Sequence, residues 1–179
     1  GRPHRKQEKA LTETRRQEKM RFEKQHHMGG IQKMREEKIR VAVIDGQGGG
    51  MGRAITQRIK AEFPQVAIRA LGTNAMATAA MLKGGADDGA TGENAVIYNA
   101  PRVQAILGPV GILMANGLLG EVTPAMASAI GASDAVKILL PAQRCSIRIA
   151  AGPPQSMQSC LNEAMRLLAE ELELLCGNA

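Results

Sequence analysis

Between Ile39 and Pro141, short apolar runs alternate with stretches in which apolar residues recur every three or four positions. The short runs are typical of buried strands, and the longer recurrence is typical of amphipathic helices. Because a parallel neighbour requires a crossover connection, usually a helix, the alternation predicts a mostly parallel sheet with helices on both faces. We expect strands at 39–45, 66–71, 85–90, 103–109 and 135–141.

Capping residues predict where the intervening helices begin and end. Pro64 ends the first helix, because its ring cannot continue the helical hydrogen bonds. Asn74 is placed to cap the second. Thr123 caps a later helix, in which Pro124 takes the first position and Gly131 the end. The expected helices span 52–63, 74–85, 110–119 and 121–131. The pattern of 93–100 fits a helix or a strand, and we expect a short helix there.

The last part of the chain holds a further strand and a long helix. The apolar run 145–152 follows the strand at 135–141 after only three residues, which predicts an antiparallel pair at the sheet edge. In 156–176, Met and Leu recur at intervals of three and four, which is typical of an amphipathic helix that covers the sheet or, alternatively, pairs with a second subunit. The expected fold is therefore α/β: a Rossmann-like three-layer sandwich with a mostly parallel sheet, an antiparallel edge pair and a long C-terminal helix.

Charge separates the amino-terminal segment from the rest of the chain. The 179 residues carry a formal net charge of +6, but residues 1–40 hold thirteen Lys or Arg and six Asp or Glu, so the remainder is close to neutral. The apolar residues of 1–37 are too scattered to form a core face, and we expect a basic tail there, disordered or partly helical, before a domain at 38–179. A solvated tail is the leading interpretation, and a nucleic-acid contact through it is the alternative.

The chain offers no sign of a membrane or an oxidising compartment. No apolar run approaches the roughly 20 residues of a membrane span, and the amino terminus lacks the apolar core of a secretory signal. The three cysteines, Cys145, Cys160 and Cys176, lack metal-ligand spacing and are expected to be reduced thiols. We therefore expect a cytoplasmic protein with no membrane partner.

Five glycines fall within the seven residues that follow the first expected strand. Glycine removes the Cβ that would hold a phosphate away, and the next helix presents unpaired N–H groups and a partial positive charge. The pattern predicts an anion site, and a tight packing turn is the alternative. Its spacing, G-x-x-x-G-x-G at Gly46, Gly50 and Gly52, fits neither a P-loop nor the strict G-x-G-x-x-G motif. It resembles the loop that holds the pyrophosphate of NAD or NADP in short-chain dehydrogenases.

Polar turns after the second and third strands are expected to complete the site, since the carboxyl ends of parallel strands meet at one edge. Asp45 stands where those dehydrogenases carry a hydroxyl residue, and its charge would repel a pyrophosphate unless it caps a turn or helps to hold a metal ion. Glu93 and Glu121 are acidic candidates for contacting ribose hydroxyls or a metal. We expect a phosphate-bearing ligand, with NAD or NADP as the candidate cofactor, to contact Asp45, Gly46, Gln47, Gly48, Gly49, Gly50, Met51, Gly52, Thr73, Asn74, Thr91, Gly92 and Glu93.

The sequence predicts no catalytic residue and no metal site. His4, His26 and His27 all lie in the tail, so the domain has no histidine base or zinc ligand. Tyr98, the single tyrosine, precedes the fourth strand, and no Tyr-x-x-x-Lys pair occurs. We expect a nucleotide- or dinucleotide-binding protein that acts as a sensor or accessory subunit rather than as an enzyme. Two alternatives stay open: a small oxidoreductase or transferase that uses a bound nucleotide, and a nucleic-acid-associated protein acting through its tail.

Four stretches, 39–55, 70–96, 108–130 and 137–145, resemble a family of small bacterial proteins, domain of unknown function family 3842. The resemblance covers roughly Arg35 to Gly152. It implies a compact cytoplasmic α/β protein with a nucleotide-type loop, and it implies no catalytic residue.

Overall fold

The strands form one parallel sheet with the first strand at its centre. The computed structural model describes residues 39–141 and 156–177. Across the sheet the strands follow the order β3-β2-β1-β4-β5, and every pair of neighbours runs parallel. This is the expected Rossmann-like arrangement. In chain order the strands are β1 (Arg40–Asp45), β2 (Ala67–Gly72), β3 (Asp88–Thr91), β4 (Ala105–Pro109) and β5 (Val136–Leu140).

Helices connect the strands and cover both faces of the sheet. They are α1 (Gly50–Glu62), α2 (Ala75–Lys83), α3 (Glu93–Asn99), α4 (Pro124–Ala132) and α5 (Met157–Gly177). Short 3-10 turns lie at Ala100–Arg102, Val110–Leu113 and Leu118–Gly120.

Alternate strand residues face opposite sides of the sheet, and both sides are buried. Val41 and Val43 of β1 pack in a cluster with residues of α1, α2 and α5, whereas Ala42 and Ile44 pack with residues of α3 and α4. All four are fully buried. A parallel sheet covered on both faces explains why β1 and β4, near its centre, are almost entirely apolar.

Two predicted helix starts are confirmed by their caps, and one predicted end is wrong. Asn74 Oδ1 accepts a hydrogen bond from the N–H of Ala77 at 2.9 Å. Thr123 Oγ1 accepts one from the N–H of Met126 at 3.1 Å, with Pro124 as the first helical residue. Helix α4 continues past Gly131 to Ala132, because the chain leaves the helix only at Ser133, whose hydroxyl donates to the carbonyl of Ala100 at 2.6 Å.

The helix expected at 110–119 is wrong. The segment forms two separate 3-10 turns, because Asn116, Leu118 and Leu119 have left-handed backbones with φ of 62°, 53° and 61°. A left-handed residue cannot continue a right-handed helix. Gly117 also approaches the carbonyl of Gly111 so closely that no Cβ fits between them. The segment is a compact loop.

The antiparallel edge pair is not supported. Strand β5 lies parallel to β4, with Val136 opposite Ala105 and Leu140 opposite Pro109. In the part of the chain that the structure describes, no two strands pair antiparallel. The run 145–152, the other member of the expected pair, lies outside that part, as do the basic tail and its boundary with the domain.

Helix α5 covers one face of the sheet, as its apolar periodicity predicts. Leu161, Met165, Leu168 and Leu172 are buried in the same cluster as Val43 of the central strand. No helix within residues 39–141 and 156–177 is both long and apolar enough to cross a membrane.

We predict that Leu168→Ala lowers the free energy of unfolding by about 2–5 kcal/mol, because the side chain it truncates is fully buried. The neighbouring Leu167 is 36% exposed, and Leu167→Ala is the matched control, with an expected change below about 1 kcal/mol. Urea unfolding measures both. Equal losses would show that α5 does not present this face to the sheet.

Candidate functional site

The crevice that open parallel sheets offer to ligands lies at the carboxyl edge, where the strand order reverses. In this sheet the order reverses between β1 and β4. Three segments meet beside that point: the glycine loop (46–49) after β1, the Thr73–Asn74 turn after β2, and the segment 110–123 after β4.

Asp45, the last residue of β1, ties the glycine loop to the start of α1. Its Oδ1 accepts a hydrogen bond from the N–H of Gly46 at 2.8 Å, and its Oδ2 accepts one from the N–H of Gly52 at 2.6 Å. Gly52 is in the first turn of α1, so the carboxylate supplies the negative charge that a helix N-terminus favours. Of the roles considered for this carboxylate, the structure shows the cap.

Burial raises the pKa of the Asp45 carboxyl above its usual value. The residue is 5% exposed, and its lost hydration outweighs the hydrogen bonds from Gly52 and Gly46, which lower the pKa. The nearby Glu121 carboxylate raises it further. Ionisation of Asp45 therefore lowers the stability of the folded state.

Two of the glycines have no room for a Cβ because residues of α2 pack against them. A Cβ on Gly49 would lie 2.6 Å from the Cα of Ala77 in α2, and one on Gly52 would lie 2.7 Å from the Sδ of Met81. Gly49 also has a φ of 68°, in the left-handed region that residues with a Cβ avoid. At these two positions the loop is the tight packing turn that we set against anion binding.

Gly48 and Gly50 are placed differently. No atom lies within 4 Å of the Cβ position on either, and both residues are exposed. Within residues 39–141 and 156–177, no acceptor pairs with the N–H groups of Gly48, Gly50 or Met51. These donors lie at the positive end of α1. We call them the open face of the glycine loop.

Glu121 joins all three segments. Its Oε2 accepts hydrogen bonds from the N–H of Gln47 at 2.9 Å, from Nδ2 of Asn74 at 2.9 Å and from the hydroxyl of Thr73. A Cβ on Gly46 would lie 2.6 Å from the same oxygen, so the missing side chain there makes room for the carboxylate. Burial alone would raise the pKa of Glu121, but the three hydrogen bonds together hold it below its usual value.

The turn after β3 is joined to β2 and α2 rather than to the glycine loop. The hydroxyl oxygens of Thr91 and Thr78 lie 2.7 Å apart, and the N–H of Gly92 donates to the carbonyl of Gly72 at 2.8 Å. Glu93 is exposed in the first turn of α3. The structure thus brings the residues of the first two turns together and leaves this third turn on the far side of β2.

Other groups with reactive side chains lie away from the glycine loop. Tyr98 is near the end of α3, 56% exposed, and the guanidinium of Arg102 lies 3.8 Å from the centre of its ring. Cys160 and Cys176 are free thiols on α5. In the described part of the chain, no three His, Cys, Asp or Glu side chains are grouped closely enough to hold a metal ion.

Sequence reasoning missed the position of Leu118. Its Cδ1 lies 2.9 Å from the Cβ position on Gly46, so this side chain covers the end of β1. Periodicity assigns the residue to a helix core. The signal against that helix is the cluster Asn116, Gly117 and Gly120, since Asn and Gly are the residues that favour left-handed turns.

A family model described as a domain of unknown function (DUF3842) matches residues 40–173. The chain belongs to this family. The match begins at β1 and ends within α5, so the DUF3842 region includes the whole sheet and the glycine loop. The resemblance drawn from the four sequence stretches is confirmed. A comparison with curated proteins finds no match.

We predict that Gly49→Ala destabilises the domain by about 2–4 kcal/mol, because it combines left-handed strain with a clash against Ala77. Gly48→Ala, one residue earlier and facing open space, is the control and should change stability by less than about 1 kcal/mol. Thermal and urea unfolding report both values. A large loss in the Gly48 variant would show that the open face is in fact packed.

We predict that the wild type loses stability relative to Asp45→Asn as the pH rises from about 4 to 7. The pKa of Asp45 is raised on folding. The stability it contributes is therefore complete below the unfolded pKa of about 3.9 and is lost as the pH rises through the folded pKa. The Asn variant cannot ionise, so other titrating groups cancel in the comparison. Urea unfolding across this pH range measures the difference. A free energy of unfolding that rises with pH in the wild type relative to the variant would contradict the prediction.

Proposed function

We propose that the chain binds a nucleotide or dinucleotide, with NAD or NADP as the leading candidate, through a phosphate held at the N-terminus of α1. The observation that carries this proposal is the open face of the glycine loop, whose N–H groups have no acceptor among the described residues. Helix N-termini that present such groups bind phosphate. The open face also lies beside the switch point, and a fold-level analogy with Rossmann-like sheets supports the same ligand.

Two further turns are candidates for contacting the rest of the ligand. Thr73 and Asn74 follow β2, the neighbour of β1, where dinucleotide-binding sheets hold the adenosine ribose. Thr91, Gly92 and Glu93 follow β3 and would contact only a ligand long enough to cross the end of β2. A dinucleotide is longer than a mononucleotide and therefore fits this contact better.

We propose binding rather than catalysis, in the role of a sensor or accessory subunit. Residues 39–141 and 156–177 contain no histidine, and the acidic groups beside the glycine loop, Asp45 and Glu121, accept hydrogen bonds from the loop itself. An oxidoreductase or transferase would need a proton donor at this edge, or a partner protein that supplies one. The proposal keeps the expectation of a bacterial, cytoplasmic protein.

We predict that Gly50→Val weakens nucleotide binding at least about a hundredfold. A side chain there covers the free N–H groups, and losing two charge-assisted hydrogen bonds of roughly 1.5–3 kcal/mol each gives that factor. The fold should survive, because the Cβ position on Gly50 has no neighbour within 4 Å. Calorimetric titration with NAD, NADP, ATP and AMP, together with thermal melts, measures both effects.

Gly131→Val is the matched control. Gly131 is also an exposed helical glycine with no atom within 4 Å of its Cβ position, but it lies near the end of α4, which leads to the opposite edge of the sheet. Its substitution should leave nucleotide affinity unchanged. Lost stability in Gly50→Val without any ligand effect would favour the packing turn, and a wild type that binds none of the four nucleotides would contradict the proposal.

A further inference from the structure

Residues 110–123, here called the lid segment, close the crevice at the switch point from the β4 side. The Cβ position on Gly46 lies 2.9 Å from Cδ1 of Leu118 and 2.6 Å from Oε2 of Glu121. Both side chains belong to the lid segment, which runs from the end of β4 to the start of α4. The end of β1, where ligands enter sheets of this order, is therefore covered.

A single carboxylate oxygen makes the hydrogen bonds that hold the lid segment closed. Among the described residues, every hydrogen bond between the lid segment and the glycine loop or the Thr73–Asn74 turn is donated by the loop or the turn and accepted by Oε2 of Glu121. The apolar part is the contact of Leu118 over Gly46. Ile112 and Val122 of the lid segment are fully buried in the cluster that contains Ile44. The few interactions named here therefore hold the part between these two residues against the glycine loop, and Glu121 supplies all the polar ones.

Backbone strain is concentrated on both sides of this contact. Leu118 and Leu119 of the lid segment have positive φ of 53° and 61°, and so does Gln47, whose N–H donates to Glu121, at 51°. Such backbones are unfavourable for residues with a Cβ and persist only where surrounding contacts hold them. Leu119 is 92% exposed, so its own side chain buries little that could offset the strain. Relief of this strain therefore favours opening of the segment once its polar contact is lost.

We propose that Glu121 is a latch: its carboxylate oxygen occupies a subsite of three donors that an oxygen of the ligand's phosphate or ribose takes on binding, which releases the lid segment from Gly46. This inference rests on the proposed function, because it assigns the regulation of the same site.

The chemistry of the subsite supports the exchange. A backbone N–H, a hydroxyl and a side-chain amide converge on one oxygen, and donors of these kinds hold phosphate oxygens in proteins. A phosphate at the open face would also bring negative charge close to the Glu121 carboxylate, which shares the glycine loop with the Asp45 carboxylate. Repulsion between like charges favours release of the carboxylate that is not buried.

Glu121→Ala in the full chain tests the latch with two measurements. The latch reduces the fraction of wild-type protein that is competent to bind, so removing it should tighten binding of AMP and NAD at least about tenfold in calorimetric titration. Without any ligand, amide hydrogen exchange in residues 110–123 should become faster than in the wild type. Glu121→Gln keeps the shape and an acceptor but loses the charge. It should raise the affinity and the exchange rate in the same direction as Glu121→Ala, but by less. Glu173→Ala, on the exposed face of α5, is the control for the loss of one negative charge.

Each outcome decides between the possibilities. Weaker binding by both Glu121 variants would overturn the latch and make Glu121 a ligand contact, while leaving the proposed function intact. Unchanged exchange in residues 110–123 would overturn the latch whatever the binding result. If neither the wild type nor any variant binds AMP or NAD, the proposed function itself is wrong, and the exchange of Glu121 for a ligand oxygen is overturned with it.

Discussion

The two hydrogen bonds that the buried Asp45 carboxylate accepts determine the shape of the carboxyl edge of this sheet. They require the chain to leave β1 at Gly46 and return its N–H at Gly52 within reach of the same side chain. Because β1 lies between β2 and β4, this short closure fixes the start of α1 beside the switch point. It also presses the loop against α2, where Gly49 has no room for a Cβ. The architecture of the loop therefore follows from a carboxylate that the protein supplies itself.

That internal cap also decides where an external anion could be bound. Asp45 takes the N–H of Gly52, so the donors left at the helix N-terminus are those of Gly48, Gly50 and Met51. The glycine-rich sequence thus combines two requirements that the G-x-x-x-G-x-G spacing does not separate. Gly46, Gly49 and Gly52 have no room for a Cβ, whereas Gly48 and Gly50 leave the backbone accessible. Packing therefore accounts for three of the five glycines, and the accessible backbone that the proposed ligand requires belongs to the other two.

The sequence predicted most of the fold because its signals are local. The apolar runs of five strands, the Asn74 and Thr123 caps and the apolar stripe of α5 depend on neighbouring residues and on burial. The helix predicted at 110–119 is wrong for the opposite reason. Its apolar residues satisfy a helical period, yet Leu118 packs over Gly46, 72 positions away, and Glu121 reaches Gln47, 74 positions away. No local pattern contains such contacts. The same limit applies to the candidate site: the sequence names Thr73, Asn74 and Glu121 as candidates, but not the hydrogen bonds that the first two donate to the third.

The three segments that form the candidate site contain no positive side chain, which bears on the kind of ligand that fits them. No Lys or Arg occurs in residues 46–49, 73–74 or 110–123, so within these segments a phosphate would meet only neutral donors and the partial charge of α1. Two carboxylates, Asp45 and Glu121, oppose it at close range. Inorganic phosphate has nothing else with which to offset that repulsion. A nucleotide brings a base and a sugar, whose contacts supply free energy independent of charge, while backbone N–H groups orient its phosphate. The charge distribution therefore favours a ligand whose phosphate is recognised by position and whose affinity comes from its uncharged part.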